Sequence, residues 1–219
     1  MILLSGTSNK KLSSNIFKYL NMSLTKCILD VFKCGEIRVE ILETVRGKDV
    51  VIIQSGYNKS MNTNDIVIET VLLIDACRRS MSKSITLIMP LFPYARQDRK
   101  DTPRVPISAK VIANMFQNVG IDRIVCLDLH SPQIQGFFQC PADNLYSVKL
   151  IKNKLEKLFN ISKNKNKYVL ISPDAGAVKR TIKFAQFLEL KTCIMHKERD
   201  YSKPGTVVKT VMICDCTEN

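Results

Sequence analysis

Apolar and polar positions alternate along this chain in two periods. Ile2-Leu3-Leu4 and Val50 to Ile53 are short continuous apolar runs, Ile85 to Met89 is interrupted only by Thr86, and Ile124 to Leu129 is interrupted only by Asp128 near its end. Runs of that length read as strands buried on both faces. Ile28 to Phe32 reads as a further strand. Ile37-Arg38-Val39-Glu40-Ile41 alternates strictly, so it predicts a half-buried one. Between the runs the period lengthens. Leu12, Ile16, Phe17 and Leu20 form one helical face. Asn62 to Asp65 offers caps for a helix through Ile66 to Cys77, and Ser108 is placed to cap a helix ending at Gly120.

The second half repeats the style. Ile151, Leu155, Leu158 and Phe159 share a helical face, and Tyr168 to Ile171 is a strand running into Ser172-Pro173-Asp174-Ala175-Gly176. Val178, Ile182, Ala185 and Leu188 line the next helix. Thr192 to Met195 is a strand, His196 to Gly205 a polar loop, and Val207 to Cys214 a last strand. Strands alternating with helices predict an α/β fold with mainly parallel sheets covered on both faces. The natural boundary falls near Tyr146. The second unit has fewer strands, and no helix follows its last one, so it reads as incomplete.

Composition narrows the class. With 8 Gly and 8 Pro in 219 residues, collagen-like and low-complexity chains are excluded. No apolar run reaches the roughly 18 residues of a membrane-spanning helix, and the N-terminus lacks the basic start and apolar core of a secretory signal. The net charge is +13, which attracts polyanions such as nucleotides and sugar phosphates. Much of the excess sits in Ser147 to Lys167, whose end, Lys163-Asn164-Lys165-Asn166-Lys167, reads as a solvated loop of biased composition. A nucleic-acid binder is the reading prompted by that charge, but no nucleic-acid motif and no Trp accompany it. The 8 Cys show no Cys-x-x-Cys pair and no zinc spacing. Cys77, Cys126 and Cys193 lie in apolar runs as small hydrophobes. Cys214-Asp215-Cys216 reads as an accident of sequence. A reducing, cytoplasmic setting is expected.

In open α/β sheets ligands sit beyond the carboxyl ends of strands, and four segments fall there. Phe32-Lys33-Cys34-Gly35-Glu36 joins two strands. Pro93 to Asp101 packs Arg96, Arg99 and Lys100 against Asp98 and Asp101, and an Arg fork suits phosphate oxygens. A salt-bridged surface loop is the equal alternative. Asp128 and His130 end a strand, where carboxylate and imidazole can hold a divalent ion, or His130 is structural. Asp174 either caps the following helix or holds a cation or sugar hydroxyls. His196-Lys197-Glu198-Arg199 offers two cations to a phosphate, or is plain surface. No P-loop, GxGxxG or serine-hydrolase elbow is present.

Taken together the segments resemble the ribose-phosphate diphosphokinases, or phosphoribosyl pyrophosphate synthetases. Thr44-Val45-Arg46-Gly47-Lys48-Asp49-Val50, Phe92-Pro93-Tyr94-Ala95-Arg96-Gln97-Asp98, Pro106 to Lys110, Asp128 to Phe138, Pro141 to Leu145 and Ser172 to Gly176 carry the resemblance, in order, from about Ile2 to about Val211. It implies two phosphoribosyltransferase-like domains, residues 1–146 on the ATP side and a partial 147–219, with mainly parallel sheets. It implies transfer of diphosphate from ATP to ribose 5-phosphate with Mg²⁺, for nucleotide biosynthesis, in a homo-oligomer from dimer to hexamer. No nucleic acid or membrane partner is implied. By the same resemblance Phe32 stacks on adenine, with Cys34, Gly35 and Glu36 in the same nucleotide loop. Arg96 and Gln97 contact ATP, and His130, Asp174, Asp128 and Asp143 lie near the metal. Lys197 is the catalytic lysine of a mobile loop, and Arg199 and Asp174 serve the second substrate.

Three departures stand out. Cys34 replaces the family's usual Asp or Asn, Ala177 replaces a glycine, and the acidic-Thr loop that cradles the sugar phosphate falls past Asn219. The rival is a non-catalytic, synthetase-associated regulatory subunit, against which intact Lys197 and Arg199 count.

Overall fold

The computed structural model describes residues 1–199 and 207–214, in two compact units, Met1–Tyr146 and Ser147–Asn219. The first unit is built on five parallel strands, β1 (Ile2–Ser5), β4 (Asp49–Ile53), β5 (Ser84–Ile88), β6 (Arg123–Leu127) and β7 (Ala142–Leu145), ordered β1-β4-β5-β6-β7. The continuous apolar runs become its inner strands because both faces are covered. On one face Ile52, Leu87 and Ile124 meet α2 (Thr63–Arg79) and α3 (Ser108–Val119) through Leu73, Ile74 and Phe116. On the other, Leu3 and Ile53 pack with Phe17 of α1 (Lys10–Tyr19).

A two-stranded antiparallel arm, β2 (Cys27–Val31) and β3 (Ile37–Ile41), is inserted between β1 and β4. Its alternation sets its attachment. Cys27 and Leu29 oppose Ile41 and Val39, and all four pack on the main core, while Arg38 and Glu40 pair with each other outside it. Its inner end is thus anchored and its far end exposed.

Local expectations meet two corrections here. Ser108 is the first residue of α3, not its cap. The cap position is Ile107, which makes no side-chain capping bond, and the Ser108 hydroxyl instead donates to Gln97 Oε1. Gly120 does end the helix, at φ +121°, and a Cβ there would lie 2.7 Å from Arg78 Nε. The second correction is β7 itself, a strand that Ala142-Asp143-Asn144-Leu145 does not announce. A 3-10 helix at Pro132–Phe137 precedes it.

The second unit has α4 (Val148–Phe159), β8 (Val169–Ser172), α5 (Val178–Leu188), β9 (Lys191–Arg199) and β10 (Val207–Cys214), with a sheet ordered β10-β9-β8. β8 and β9 run parallel, and β9 and β10 antiparallel. The expected polar loop from His196 is corrected. His196 to Arg199 continue β9, because Val207 to Val211 pair with them across the ladder. The rest of that loop, Asp200 to Gly205, lies outside the described residues. Cys193 is also not a free thiol. It is bonded to Cys214 across the ladder, with Cα atoms 4.5 Å apart, the spacing of the close type of antiparallel pair. Asp215 and Cys216 lie outside the described residues. Among the described residues no helix is long and apolar enough to cross a membrane.

Candidate active site

The loops leaving β5 and β6 carry Arg96, Gln97, Asp128 and His130. Phe92 anchors the first of them. Its ring meets Phe116 edge-on at 6.3 Å and Phe138 at 5.7 Å, geometry that aromatic quadrupoles favour. Gly56 admits the loop closely. Its N–H donates to Leu91 O at 2.8 Å, and a Cβ there would lie 2.7 Å from Pro93 Cδ.

Tyr94 then turns the chain at φ +57°, a region non-glycine residues enter at a cost. Its hydroxyl bonds to the Asn64 side-chain oxygen at the start of α2. Gln97 follows, held on three sides. Its N–H donates to Tyr94 O at 3.1 Å, its carbonyl accepts Ala109 N–H at 3.1 Å, and its Oε1 accepts Ser108 Oγ–H. The side chain expected to contact ATP is therefore pre-positioned, and Arg96 beside it is exposed. Arg99 is committed instead to Asp101 at 2.9 Å.

Asp128 closes β6 at φ +49°, with its N–H donating to Leu145 O at 2.8 Å. Leu129 N–H donates to Asn144 Oδ1 at 3.0 Å. Between them these bonds fix the turn that presents His130, which is exposed. Because β5 and β6 are neighbouring parallel strands, Arg96-Gln97 and Asp128-His130 leave the same edge of the sheet.

Asp143 does not join them. It pairs with Val125, three residues before Asp128 and so about 10 Å back along the strand direction. Its carboxylate accepts Arg123 Nε at 2.6 Å.

Phe32, Cys34, Gly35 and Glu36 form the tip of the β2–β3 arm. Phe32 N–H donates to Glu36 O and Gly35 N–H to Phe32 O, each at 2.8 Å, and Gly35 takes φ +94°. This is a three-residue hairpin loop whose last position needs glycine. Phe32 is 50% exposed, a flat apolar face open to solvent.

In the second unit Asp174 leaves β8 and accepts Ala177 N–H at 3.0 Å, so it caps the turn that leads into α5. Lys197 and Arg199 lie on β9. Since Ser172 pairs with Ile194, Asp174 and Lys197 lie just beyond the same end of the β8–β9 pair.

Residues 1–120 match the family model of the N-terminal domain of ribose phosphate pyrophosphokinase. The chain belongs to the ribose-phosphate pyrophosphokinase family. It is 45% identical over 205 residues to the ribose-phosphate pyrophosphokinase of Rhizobium meliloti, a match covering 94% of this chain. The Helicobacter pylori (strain 26695) enzyme of that name is 41% identical over 209 residues, or 95% of this chain. The chain spans about 63% of the length of both. The crystal structure of phosphoribosylpyrophosphate synthetase from Mycobacterium smegmatis superposes with a TM-score of 0.86 at 34% identity, covering 98% of this chain and 67% of that one.

One group behind this edge is illegible as a motif, and it hydrogen-bonds the loop that follows β1. Glu69, 3% exposed, lies on the buried face of α2. It accepts Thr7 N–H, Thr7 Oγ1–H and Gln54 Nε2–H at 2.8, 2.6 and 2.7 Å. Gln54 Oε1 in turn accepts Ser8 N–H at 3.1 Å. An acid three residues after Ile66 and four before Leu73, inside an apolar stripe, is the signal that could have found it.

Proposed function

We propose that this protein transfers the diphosphate of ATP to the 1-hydroxyl of ribose 5-phosphate, forming phosphoribosyl pyrophosphate and AMP. The observation that carries this reading is the convergence of Arg96-Gln97 and Asp128-His130 at one sheet edge, in a chain matching the family over nearly its whole length. The sugar hydroxyl oxygen attacks the β-phosphorus of ATP. The bond from that phosphorus to the α,β-bridging oxygen breaks, AMP leaves, and the hydroxyl proton passes to solvent. Such a transfer asks the protein for positioning and for positive charge more than for covalent help. Phe32 offers a stacking face for adenine. Gln97, already held by Tyr94, Ser108 and Ala109, orients the nucleotide, and Arg96 supplies a donor fork to its phosphates. Lys197 is the cation assigned to the transferred group, and Arg199 and Asp174 are assigned to the sugar phosphate.

Mg²⁺ fits the donor set. Among the described residues no three His, Cys, Asp or Glu side chains gather as a metal cage. A carboxylate and an imidazole at one turn, Asp128 and His130, suit an ion that keeps waters and shares substrate phosphates. When bound, it would neutralise charge on the phosphate oxygens. Homo-oligomer assembly and a cytoplasmic setting go with this reading.

The test is AMP release followed with and without ribose 5-phosphate, alongside calorimetry of MgATP binding. The reading expects AMP to form only when the sugar phosphate is present and MgATP affinity to fall in Arg96→Ala. AMP formation indifferent to ribose 5-phosphate, or affinity unchanged in Arg96→Ala, overturns it.

A further inference from the structure

A groove of about 710 Å³ opens between α1, the carboxyl end of β1 and the start of β2. It lies wholly within the first unit and takes no part in the reaction proposed above. β1 is the edge strand, three strands from β6 and so about 14 Å from the turn that presents His130. The volume falls in the range of small-molecule sites, roughly 300–1,000 Å³.

Its lining divides by chemistry. Phe17, Met22 and Leu29 give one apolar wall. Three lysines, Lys10, Lys18 and Lys26, stand round it, and no aspartate or glutamate does. Lys10 and Lys18 lie eight residues apart with Ser14 midway, so all three share one face of α1. Three like charges at one groove repel one another in the empty protein, and an anion relieves that repulsion.

The floor is rigid for a separate reason. Thr7 is tied to buried Glu69 by both its amide and its hydroxyl, and Ser8 to Gln54. Of the acids near the wall, Glu69 is therefore already committed to neutral donors, and Glu43, which accepts the Lys26 N–H at 2.8 Å, stands outside the lining. Thr25, 6% exposed, holds the opposite side through its N–H to Leu3 O at 3.1 Å.

We propose that this groove binds a small phosphate monoester carrying a flat apolar group, the phosphate among Lys10, Lys18 and Lys26 and the flat group against Phe17, Met22 and Leu29. Inorganic phosphate alone would leave the apolar wall wet. A polynucleotide would need a cationic track continuing past the groove, and the lysines instead surround one apolar wall.

Cys27 makes the site measurable, because its half-buried thiol lines the groove. Cys140, also half-buried, lies beside β7 and serves as the reference. The experiment follows maleimide labelling of both residues by peptide mass spectrometry, with phenyl phosphate as the probe. At about ten times its dissociation constant, phenyl phosphate should slow Cys27 labelling about tenfold relative to Cys140, following the factor 1 + [L]/Kd. The double variant Lys10→Glu, Lys18→Glu should lose that protection while keeping its melting temperature and MgATP affinity. Lys10→Gln, Lys18→Gln provides the same test without charge reversal. Arg96→Ala should weaken MgATP binding and leave the protection intact, so the two sites fail separately. Unchanged Cys27 labelling overturns the proposal. So does protection that vanishes in Arg96→Ala, or equal protection by inorganic phosphate at matched concentration.

Discussion

Glu69, buried in α2, receives both the backbone N–H and the side-chain hydroxyl of Thr7, 62 residues earlier in the chain. One carboxylate thereby ties the exit of β1 to the helix that follows β4. Removing it leaves the part-buried Thr7 donors and the buried Gln54 amide without their acceptor. Glu69→Ala is expected to cost about 2–4 kcal/mol of unfolding free energy, and Glu69→Gln less, since an amide oxygen can still accept. Urea unfolding measures both. A loss within about 0.5 kcal/mol, typical of ordinary surface sites, would show that the β1 exit holds without Glu69.

The exposed Phe32 ring gives a prediction about nucleotide. If it stacks on adenine, Phe32→Ala weakens MgATP binding by about 1–3 kcal/mol, as base–aromatic stacking does elsewhere. The side chain sits at a solvent-facing tip, so the variant should fold normally. Calorimetry showing unaltered affinity in a folded variant would remove Phe32 from the site.

His130 and Asp143 should part company. His130→Ala is expected to weaken MgATP binding or turnover with little change in stability, because the side chain is exposed. Asp143→Asn breaks only an exposed pair with Arg123, worth about 0–1 kcal/mol, and should leave the Mg²⁺ dependence of binding untouched. If the Mg²⁺ titration shifts in Asp143→Asn and not in His130→Ala, the two assignments exchange.

The bond between Cys193 and Cys214 spans 21 residues. A closed loop of that length removes about 3 kcal/mol of chain entropy from the unfolded state. Cys193→Ser should therefore lower the stability of the second unit by about 2–4 kcal/mol against the oxidised wild type, and a dithiol reductant should do the same to the wild type. Peptide mapping without reduction should recover the two cysteines linked.

Two other thiols give a dependence on pH. Burial pushes Cys77 and Cys126 up to about 12. In the unfolded chain both ionise near the ordinary thiol value of about 8.5. The folded protein thus holds these protons over a window where the unfolded chain has released them. The stabilisation is complete below about 8.5 and is lost as pH rises towards about 12. Unfolding free energy should fall across that range, and Cys77→Ala, Cys126→Ala should flatten the fall even though each truncation costs packing. An equally steep fall in the double variant would place the titration in other groups.

Legibility in the sequence followed the range of the interactions. β4, β5 and the core of β6 could be read because their apolar runs state burial on both faces locally. The arm was equally plain, since alternation at Ile37–Ile41 is a local signal. His196 to Arg199 read as loop because four consecutive polar side chains carry no strand period, and their strand exists only through pairing with β10. β7 was missed likewise, its short polar run being recruited by an adjacent edge. At the candidate site the motif residues were visible, but their supports were not. Tyr94 held by Asn64, 30 residues away, and the Glu69 network are tertiary facts.

The strand order of the first sheet bears on how the protein is made. Each strand after β4 adds to the edge its predecessor has just formed, β5 on β4, β6 on β5 and β7 on β6. No later strand has to be inserted between two already paired. The sheet can therefore grow outward as the chain leaves the ribosome, N-terminal part first. Every intermediate leaves a single fresh edge, and the next segment to emerge is the one that covers it.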